Sequence, residues 1–311
     1  MDPRKATCGT GEGKGRLLNI LEKKGVRVAV ASGKGGTGKT TIATNLAACL
    51  AQQWLPVFYV DCDVEEPNGH IFLLPEITKT HAVGVPVPEV HEELCSGCGL
   101  CGKTCQFSAI IVIDKQVLTF PELCHGCGGC ALVCPEKAIE EKQREVGQIR
   151  MGISGSLGFL DGKMRVGEAM SAPLIRAVKE NIPVKSIAII DAPPGTSCPV
   201  IEAVKDTDFV LLVTEPTPFG LNDLVLAVEM VREIGLPLGV IINQSDIGTD
   251  ETLKYCEAEQ IAVLLQLPHD RQIAQAYSQG HLAVQALPWF RGRMAEIANY
   301  ILSLDKAENL R

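Results

Sequence analysis

Eight of the thirteen cysteines lie in two short runs with the same spacing. Each run reads Cys-x2-Cys-x2-Cys-x3-Cys, and the second begins 29 residues after the first (124 − 95). This spacing is typical of thiolates that bind iron–sulfur clusters, where the fourth cysteine of each run ligates the cluster of the other run. The predicted ligands are Cys95, Cys98, Cys101 and Cys134 for one [4Fe–4S] cluster, and Cys105, Cys124, Cys127 and Cys130 for a second.

A pair of zinc sites is the alternative to a pair of clusters. Zinc sites usually combine two Cys-x2-Cys pairs separated by a dozen residues or more, whereas each run here places four cysteines within eleven positions. The runs instead resemble those of the bacterial two-[4Fe–4S] ferredoxins, and the second continues into Pro135. Gln106 follows the first run where those ferredoxins usually have proline, a departure that removes no ligand.

A glycine-rich segment supplies a second kind of chemistry. Residues 33–40 read Gly-Lys-Gly-Gly-Thr-Gly-Lys-Thr and match G-x4-G-K-[ST] between a buried strand pattern and an amphipathic segment. In this context backbone N–H groups surround nucleotide phosphates, Lys39 reaches the outer phosphates and Thr40 binds Mg²⁺. The predicted nucleotide-binding residues of this loop are Gly33, Lys34, Gly35, Gly36, Thr37, Gly38, Lys39, Thr40 and Thr41.

The second lysine of the loop, Lys34, makes the segment resemble the deviant phosphate loop of the MinD/Mrp/ParA class of ATPases. The pairs and motifs that extend the resemblance are Asp61-Cys62-Asp63, Asp191-Ala192-Pro193-Pro194-Gly195 and Thr214-Glu215-Pro216-Thr217-Pro218-Phe219-Gly220. The resemblance implies a homodimer with nucleotide at the interface, in which Lys34 reaches the phosphates of the partner chain as an arginine finger would. It assigns catalytic roles to Lys34, to Lys39 and to Asp63, which positions the attacking water.

The same resemblance assigns the remaining side chains of the site. Asp61 and Asp191 join Thr40 in holding Mg²⁺, while Asn243, Pro268 and Asp270 lie beside the adenine base. Both magnesium-site aspartates follow apolar runs that read as parallel strands. Open α/β sheets bind their ligands at this carboxyl edge, so the positions favour a site over isolated surface charges.

Elements that would position these residues follow from short apolar runs and helical periodicity. The predicted buried strands are Arg27–Ala31, Val57–Val60, Ser186–Ile190, Phe209–Val213, Leu238–Ile242 and Ala262–Leu267. Amphipathic helices lie between them, including Val166–Lys179, and a last one spans Phe290–Leu304 with an apolar face suited to the core. Strands that are apolar throughout, alternating with helices, predict an α/β fold with a doubly wound, mainly parallel sheet.

The stretch that holds the cysteine runs breaks this alternation. We therefore expect a small α+β domain of the bacterial ferredoxin type at residues 86–144, inserted into an ATPase domain formed by residues 26–85 and 145–311. Residues 1–25 are expected to form a flexible extension. The five cysteines outside the runs are expected to be structural, with Cys198 a small buried residue; they are Cys8, Cys49, Cys62, Cys198 and Cys256.

Composition narrows the setting. The chain of 311 residues has a formal net charge of −8, which disfavours a nucleic-acid partner. Its apolar runs are far shorter than the roughly 18 residues that cross a bilayer, and its N-terminus lacks the apolar segment of a signal peptide. Clustered metal-binding cysteines fit a reducing compartment. We expect a cytoplasmic protein without membrane insertion.

These features together predict a dimeric, Mg²⁺-dependent ATPase coupled to two [4Fe–4S] clusters, acting with a client protein in electron transfer or iron–sulfur protein maturation. Two alternatives stay open at this point. One is a redox-sensing regulatory or positioning ATPase that recruits a partner protein in its ATP-bound dimer. The other is a degenerate nucleotide binder without turnover.

Overall fold

A nine-stranded mixed sheet forms the centre of the computed structural model, which describes residues 25–53 and 56–304. The strands are β1 (Val26–Ala31), β2 (Val57–Asp61), β3 (Glu76–Val90), β4 (Ile110–Ile113), β5 (Gln116–Thr119), β6 (Ile139–Ser154), β7 (Leu157–Met164), β8 (Ile187–Asp191), β9 (Phe209–Thr214), β10 (Leu238–Asn243) and β11 (Val263–Leu267). The order in the sheet is β11-β10-β9-β1-β8-β2-β7-β6-β3, and β4 pairs only with β5. Neighbours from β11 to β7 are parallel, whereas β6 and β3 extend the sheet antiparallel.

Most of the helices cover the two faces of this sheet, and two short ones lie in the cysteine region. The helices are α1 (Lys39–Ala51), α2 (Gly69–Leu73), α3 (Leu100–Thr104), α4 (Gly129–Leu132), α5 (Ala172–Glu180), α6 (Cys198–Val204), α7 (Pro218–Ile234), α8 (Glu251–Ala258), α9 (Arg271–Ser278), α10 (Ala283–Ala286) and α11 (Pro288–Ile301). One apolar layer joins α1 and α11 to the sheet, and a second joins α5, α6 and α7 to the opposite face. The predicted mainly parallel α/β fold is confirmed.

The predictions for the two ends of the chain, a last helix and an N-terminal extension, have different outcomes. The apolar face of α11 is buried in the core, with Met294 and Ala298 fully enclosed, as its periodicity indicates. The predicted extension at residues 1–25 lies outside the described residues except for Gly25.

The predicted helix Val166–Lys179 starts late, at Ala172. Val166 is fully exposed and Gly167 has a φ of +82°, a left-handed conformation that a helix cannot include. Pro173 lies in the first turn, where its missing N–H costs no helical hydrogen bond.

The stretch around the cysteine runs contributes to the main sheet, which the broken alternation did not indicate. Strands β3 and β6 pair over nearly their whole length, from the sheet edge out to the cysteine region. Much of this ribbon is exposed, so its sequence lacks the continuous apolar run that marked the other strands. The predicted boundaries at residues 86 and 144 fall inside β3 and β6. The division into two domains stays a prediction.

A small region beyond this ribbon holds the cysteines. It contains the hairpin β4–β5 and the short helices α3 and α4. The Ala-Ile pair at 109–110 and its repeat at 138–139 are both buried, so the sequence duplication is also a duplication of core contacts.

Cysteines outside the runs divide into two groups. Cys49, Cys62 and Cys256 are buried, in line with a structural role. Cys198 is exposed at the start of α6, so the expectation of a buried residue there was wrong. Cys8 lies outside the described residues. Across residues 25–53 and 56–304, no helix has the length and apolarity needed to cross a bilayer.

Candidate functional site

The phosphate loop joins β1 to α1 at the carboxyl edge of the sheet. Gly36 and Gly38 have φ values of +80° and +93°, so the loop makes left-handed turns that other residues rarely adopt. A Cβ on Gly38 would lie 2.7 Å from Nδ2 of Asn243, which itself donates to the carbonyl oxygen of Thr37 at 3.0 Å. Lys39 opens α1 and is largely buried. The loop is therefore held tightly by the strand that carries Asn243.

The residues that we predict to lie beside the adenine base come from two neighbouring strands and the segment that follows them. Asn243 ends β10, and its partner across the ladder is Leu267, the residue before Pro268. The Asp270 carboxylate accepts the backbone N–H of Gln272 at 2.8 Å and so caps α9. Asn243 and Pro268 therefore lie together as predicted, while Asp270 has a structural contact of its own.

Two aspartates from neighbouring strands face each other below the loop. Asp61 and Asp191 end β2 and β8, occupy paired positions of the ladder and are both fully buried. The Tyr59 hydroxyl donates to Oδ2 of Asp191 at 2.9 Å and lies 3.3 Å from Oδ2 of Asp61. Asp61 also accepts the backbone N–H groups of Gly69 and Asp63, at 3.0 and 3.1 Å.

The electrostatics of this pair suit a divalent cation. Burial raises the pKa of both carboxyls, and the charge of Asp191 raises the pKa of Asp61 further. Thr40 and Lys39 of the phosphate loop partly offset this rise in the pKa of Asp191. Its Oδ1 is buried and lacks a hydrogen-bond partner among the described residues. An oxygen ligand aimed at the Lys39–Thr40 end of the loop fits Mg²⁺, which prefers carboxylates and water.

Asp63 follows on the loop after β2. Burial and the nearby charge of Asp191 raise the pKa of this carboxyl to about 6. The side chain is therefore mostly ionised at neutral pH, the state that accepts a hydrogen bond from water. Its backbone N–H is fixed on Asp61, so the two aspartates of the motif form one turn.

Lys34, the lysine near the start of the loop, does not extend into open solvent. Lys34 Nζ lies 3.4 Å from Oε2 of Glu215, on the loop after β9. Gln244, which follows β10, donates to the other oxygen of Glu215 at 3.2 Å. Within the single chain this lysine is thus held by a carboxylate on the loop after β9, the strand next to β1 in the sheet.

Sequence reasoning missed several of these neighbours. Tyr59 lies two positions before Asp61, so the alternation of a strand puts both on one face, and that period was the available signal. Asp161 at the same level of β7 pairs with Asp61 across the ladder and forms a two-point ion pair with Arg150. It was missed because β7 itself was not predicted.

The structure sorts the eight cysteines of the runs into two pockets. The first, which we call the distal pocket, includes Cys95, Cys98, Cys101 and Cys134 in its lining. The second, the proximal pocket, includes Cys105, Cys124, Cys127 and Cys130. Each pocket combines three cysteines of one run with the last of the other. These are the two predicted ligand sets.

Backbone groups around the pockets fit an iron–sulfur cluster. The N–H of Gly126 points to Sγ of Cys124 at 3.4 Å, and that of Ala138 to Sγ of Cys134 at 3.3 Å. Such N–H···S contacts stabilise the anionic sulfur of bound clusters. Within the described parts of the chain, no three His, Cys, Asp or Glu side chains converge as they would on one metal ion. A [4Fe–4S] cluster binds each cysteine through a different iron atom, and the four cysteines that line each pocket fit that group.

The two pockets differ in one aromatic contact. His125 of the proximal pocket stacks on Phe107 with ring centroids 3.7 Å apart. The equivalent position of the distal pocket is Ser96. The pockets also lie at different depths: Gly126 packs on Val85 of the main core, whereas the distal pocket reaches Val90 and Ile139, the outer ends of the ribbon.

A family model and several known proteins match most of the chain. Residues 28–284 match the family model of the CobQ/CobB/MinD/ParA nucleotide binding domain. An uncharacterized protein of Methanocaldococcus jannaschii is 29% identical over 88% of this chain and 97% of its own length. An iron-sulfur cluster carrier protein of Aquifex aeolicus is 26% identical over 90% of this chain and 66% of its own length.

A solved structure shows the same fold. The septum site-determining protein MinD of Pyrococcus horikoshii, complexed with Mg-ADP, superposes with a TM-score of 0.53 at 18% identity. The match covers 92% of this chain and 96% of that one. With the phosphate loop, the paired strand-end aspartates and the family match together, this chain belongs to the CobQ/CobB/MinD/ParA family of P-loop ATPases.

Proposed function

We propose that this protein is a dimeric ATPase whose nucleotide cycle is coupled to two [4Fe–4S] clusters, in electron transfer or in the maturation of iron–sulfur proteins. The observation that carries the proposal is the grouping of the cysteines. Each pocket contains three cysteines from one run and one from the other. The similar carrier protein of Aquifex aeolicus is named for iron–sulfur clusters, which supports the same assignment.

The chain's own residues would carry out hydrolysis as follows. The loop N–H groups and Lys39 would bind the phosphates, while Thr40, Asp61 and Asp191 would hold Mg²⁺ directly or through water. Asp63, ionised at neutral pH, orients the water that attacks the terminal phosphate. The Mg-ADP bound to the similar MinD of Pyrococcus horikoshii supports this choice of ligand.

Lys34 would complete the site of a second copy. It would leave Glu215 and reach the partner's phosphates, where it offsets the negative charge that develops during phosphoryl transfer. Dimerisation and hydrolysis would then depend on the same side chain.

The clusters would supply one-electron chemistry to a protein partner. Their coupling to nucleotide rests on the path of the chain: the loop that carries Asp63 leads through α2 into β3, and β3 leads directly to the cysteines. A change of order in that loop on hydrolysis would be transmitted to the ribbon.

Two measurements on protein purified without oxygen test the proposal. Iron and sulfide analysis should give about eight of each per chain, four for each cluster. Incubation with ATP should then either sustain reduction of an acceptor protein or transfer clusters to an apo-protein. Protein that binds ATP but contains no iron and sulfide would contradict it.

A regulatory switch is the second candidate. The surface of the cysteine region favours it, because Leu132, next to the proximal pocket, is 87% exposed and Ile113 and Leu94 are also largely exposed. Apolar side chains in such a setting suit a recruited partner. ATP-dependent capture of a partner, with neither sustained electron delivery nor cluster transfer, would favour this function over the first.

A further inference from the structure

We propose that Arg144 is a positioning residue that couples the loop after Asp63 to the proximal cysteine pocket. The connection runs through residues 164–168, which begin at the last residue of β7 and which we call the return turn. The inference rests on the proposed function in that it names the contacts by which nucleotide and cluster would affect each other.

The first link joins the return turn to the loop after Asp63. Val64, the next residue, is buried, and its carbonyl oxygen accepts the backbone N–H of Met164 at 2.9 Å. Its side chain packs on Gly162 so closely that a Cβ there would lie 2.6 Å from Val64 Cγ1. A displacement of the loop must therefore move the end of β7 as well.

The second link joins the return turn to the ribbon. Arg165, directly after Met164, donates its backbone N–H to the carbonyl oxygen of Val146 in β6 at 2.9 Å. Two residues away on the same strand, Arg144 makes a two-point ion pair with Glu168, the last residue of the return turn. The Glu168 side chain is fully buried and that of Arg144 is 11% exposed. A pair so enclosed fixes its two backbones more firmly than a surface pair would.

The third link reaches the cysteines. Arg144 pairs with Val85 across the β3–β6 ladder, and Val85 packs directly on Gly126 of the proximal pocket. The hydrogen bonds that Arg144 donates to Glu168 raise its pKa most, and the charges of Glu122 and Cys124 in the cysteine region raise it further. Arg144 therefore lies between the return turn and the proximal pocket.

This geometry makes the coupling specific to one pocket. The distal pocket is built on Val90 and Ile139, the outer ends of the ribbon. The contacts near those two ends, between His91 and Glu140 and between Lys142 and Glu89, are largely exposed, and neither reaches the return turn. The proximal pocket should respond to nucleotide, and the distal pocket should respond less.

Hydrogen exchange of the anaerobically purified protein, with Mg-ADP and with Mg²⁺ and a non-hydrolysable ATP analogue, tests the inference. In the wild type the two nucleotides should give different exchange over residues 122–127 as well as over the phosphate loop. Arg144→Gln should keep the difference at the loop and reduce it over residues 122–127 by about fivefold or more, the lower end of usual allosteric couplings. Arg144→Lys should restore part of it.

Lys142→Gln is the matched control, because Lys142 lies two residues away on β6 and pairs with the exposed Glu89 instead. It removes the same charge and should leave the difference over residues 122–127 unchanged. If Arg144→Gln unfolds, the double variant Arg144→Gln, Glu168→Gln keeps neutral hydrogen bonds at the same place and replaces it.

Two results would overturn the inference: an undiminished difference over residues 122–127 in Arg144→Gln, or no such difference in the wild type. Failure of the proposed function is read separately, from iron and sulfide content and ATP hydrolysis on the same preparations. The midpoint potential of the proximal cluster gives a second readout. It should depend on nucleotide in the wild type and in Lys142→Gln, and lose that dependence in Arg144→Gln.

Discussion

We predict that the ion pair between Lys34 and Glu215 weakens the ATP-bound dimer, because it holds Lys34 on its own chain. Lys34 Nζ lies 3.4 Å from Glu215 Oε2, and the two side chains are 32% and 17% exposed. In the proposed dimer each lysine must leave this carboxylate to reach the partner's phosphates. Glu215→Gln removes the competing charge but keeps a group that can accept from Gln244.

The size of the effect follows from the exposure of the pair. A partly exposed ion pair of this kind contributes about 1 kcal/mol after screening by solvent. Each dimer separates two such pairs, so the substitution should favour the ATP-bound dimer by up to about 2 kcal/mol. That corresponds to a dissociation constant about 30-fold lower.

Sedimentation equilibrium with Mg²⁺ and ATP would measure it, in an Asp63→Ala background that blocks hydrolysis. Glu229→Gln, on the exposed face of α7, removes the same charge elsewhere and should leave the dissociation constant unchanged. Lys34→Gln should prevent ATP-dependent dimerisation whether or not Glu215 is present. An unchanged or weaker dimer in Glu215→Gln, with the control behaving as stated, would refute the reasoning.

Four further substitutions separate the parts of the site. Lys39→Ala should abolish ATP binding, whereas Lys34→Ala should keep binding and lose hydrolysis, as calorimetry and phosphate release would show. Tyr59→Phe should lower the free energy of unfolding by about 1–3 kcal/mol in urea titrations, because the buried carboxylate of Asp191 loses its hydroxyl donor. Cys134→Ser should reduce the iron content from about eight to about four atoms per chain, since it removes one ligand of the distal cluster only.

Each of these has a control in the chain. Cys198→Ser changes an exposed cysteine outside both pockets and should leave the iron content unchanged. Equal iron loss in the two cysteine variants would contradict the assigned ligand sets. Tyr277→Phe removes a hydroxyl from a partly exposed tyrosine and should cost less than Tyr59→Phe. Hydrolysis retained in Lys34→Ala would contradict the role of that lysine.

Most of the parallel part of the fold was predictable because its strands are apolar throughout; β7, which was not predicted, is the exception. The same reasoning placed Asp61 and Asp191 at the carboxyl ends of parallel strands, and the structure shows that these two strands are neighbours. It failed on β3 and β6, whose exposed faces break the apolar runs, and therefore on the ribbon that joins the cysteines to the sheet.

Contacts between segments that lie far apart in the chain could not be predicted from the sequence, for a different reason. The pairs Lys34–Glu215 and Arg144–Glu168 join residues that only the sheet order brings together. The grouping of the cysteines is the exception, because their spacing reproduces a known ligand pattern with its exchange of the fourth cysteine.

The central claim is that nucleotide and clusters are coupled, and the midpoint potentials of the two clusters test it most directly. They would be titrated with no nucleotide, with Mg-ADP and with Mg²⁺ and ATP in the Asp63→Ala variant. Coupling is reciprocal, so a tenfold difference in nucleotide affinity between oxidised and reduced protein shifts a one-electron potential by about 59 mV. We expect a shift of that order for the proximal cluster. Identical potentials in all three states would contradict the account.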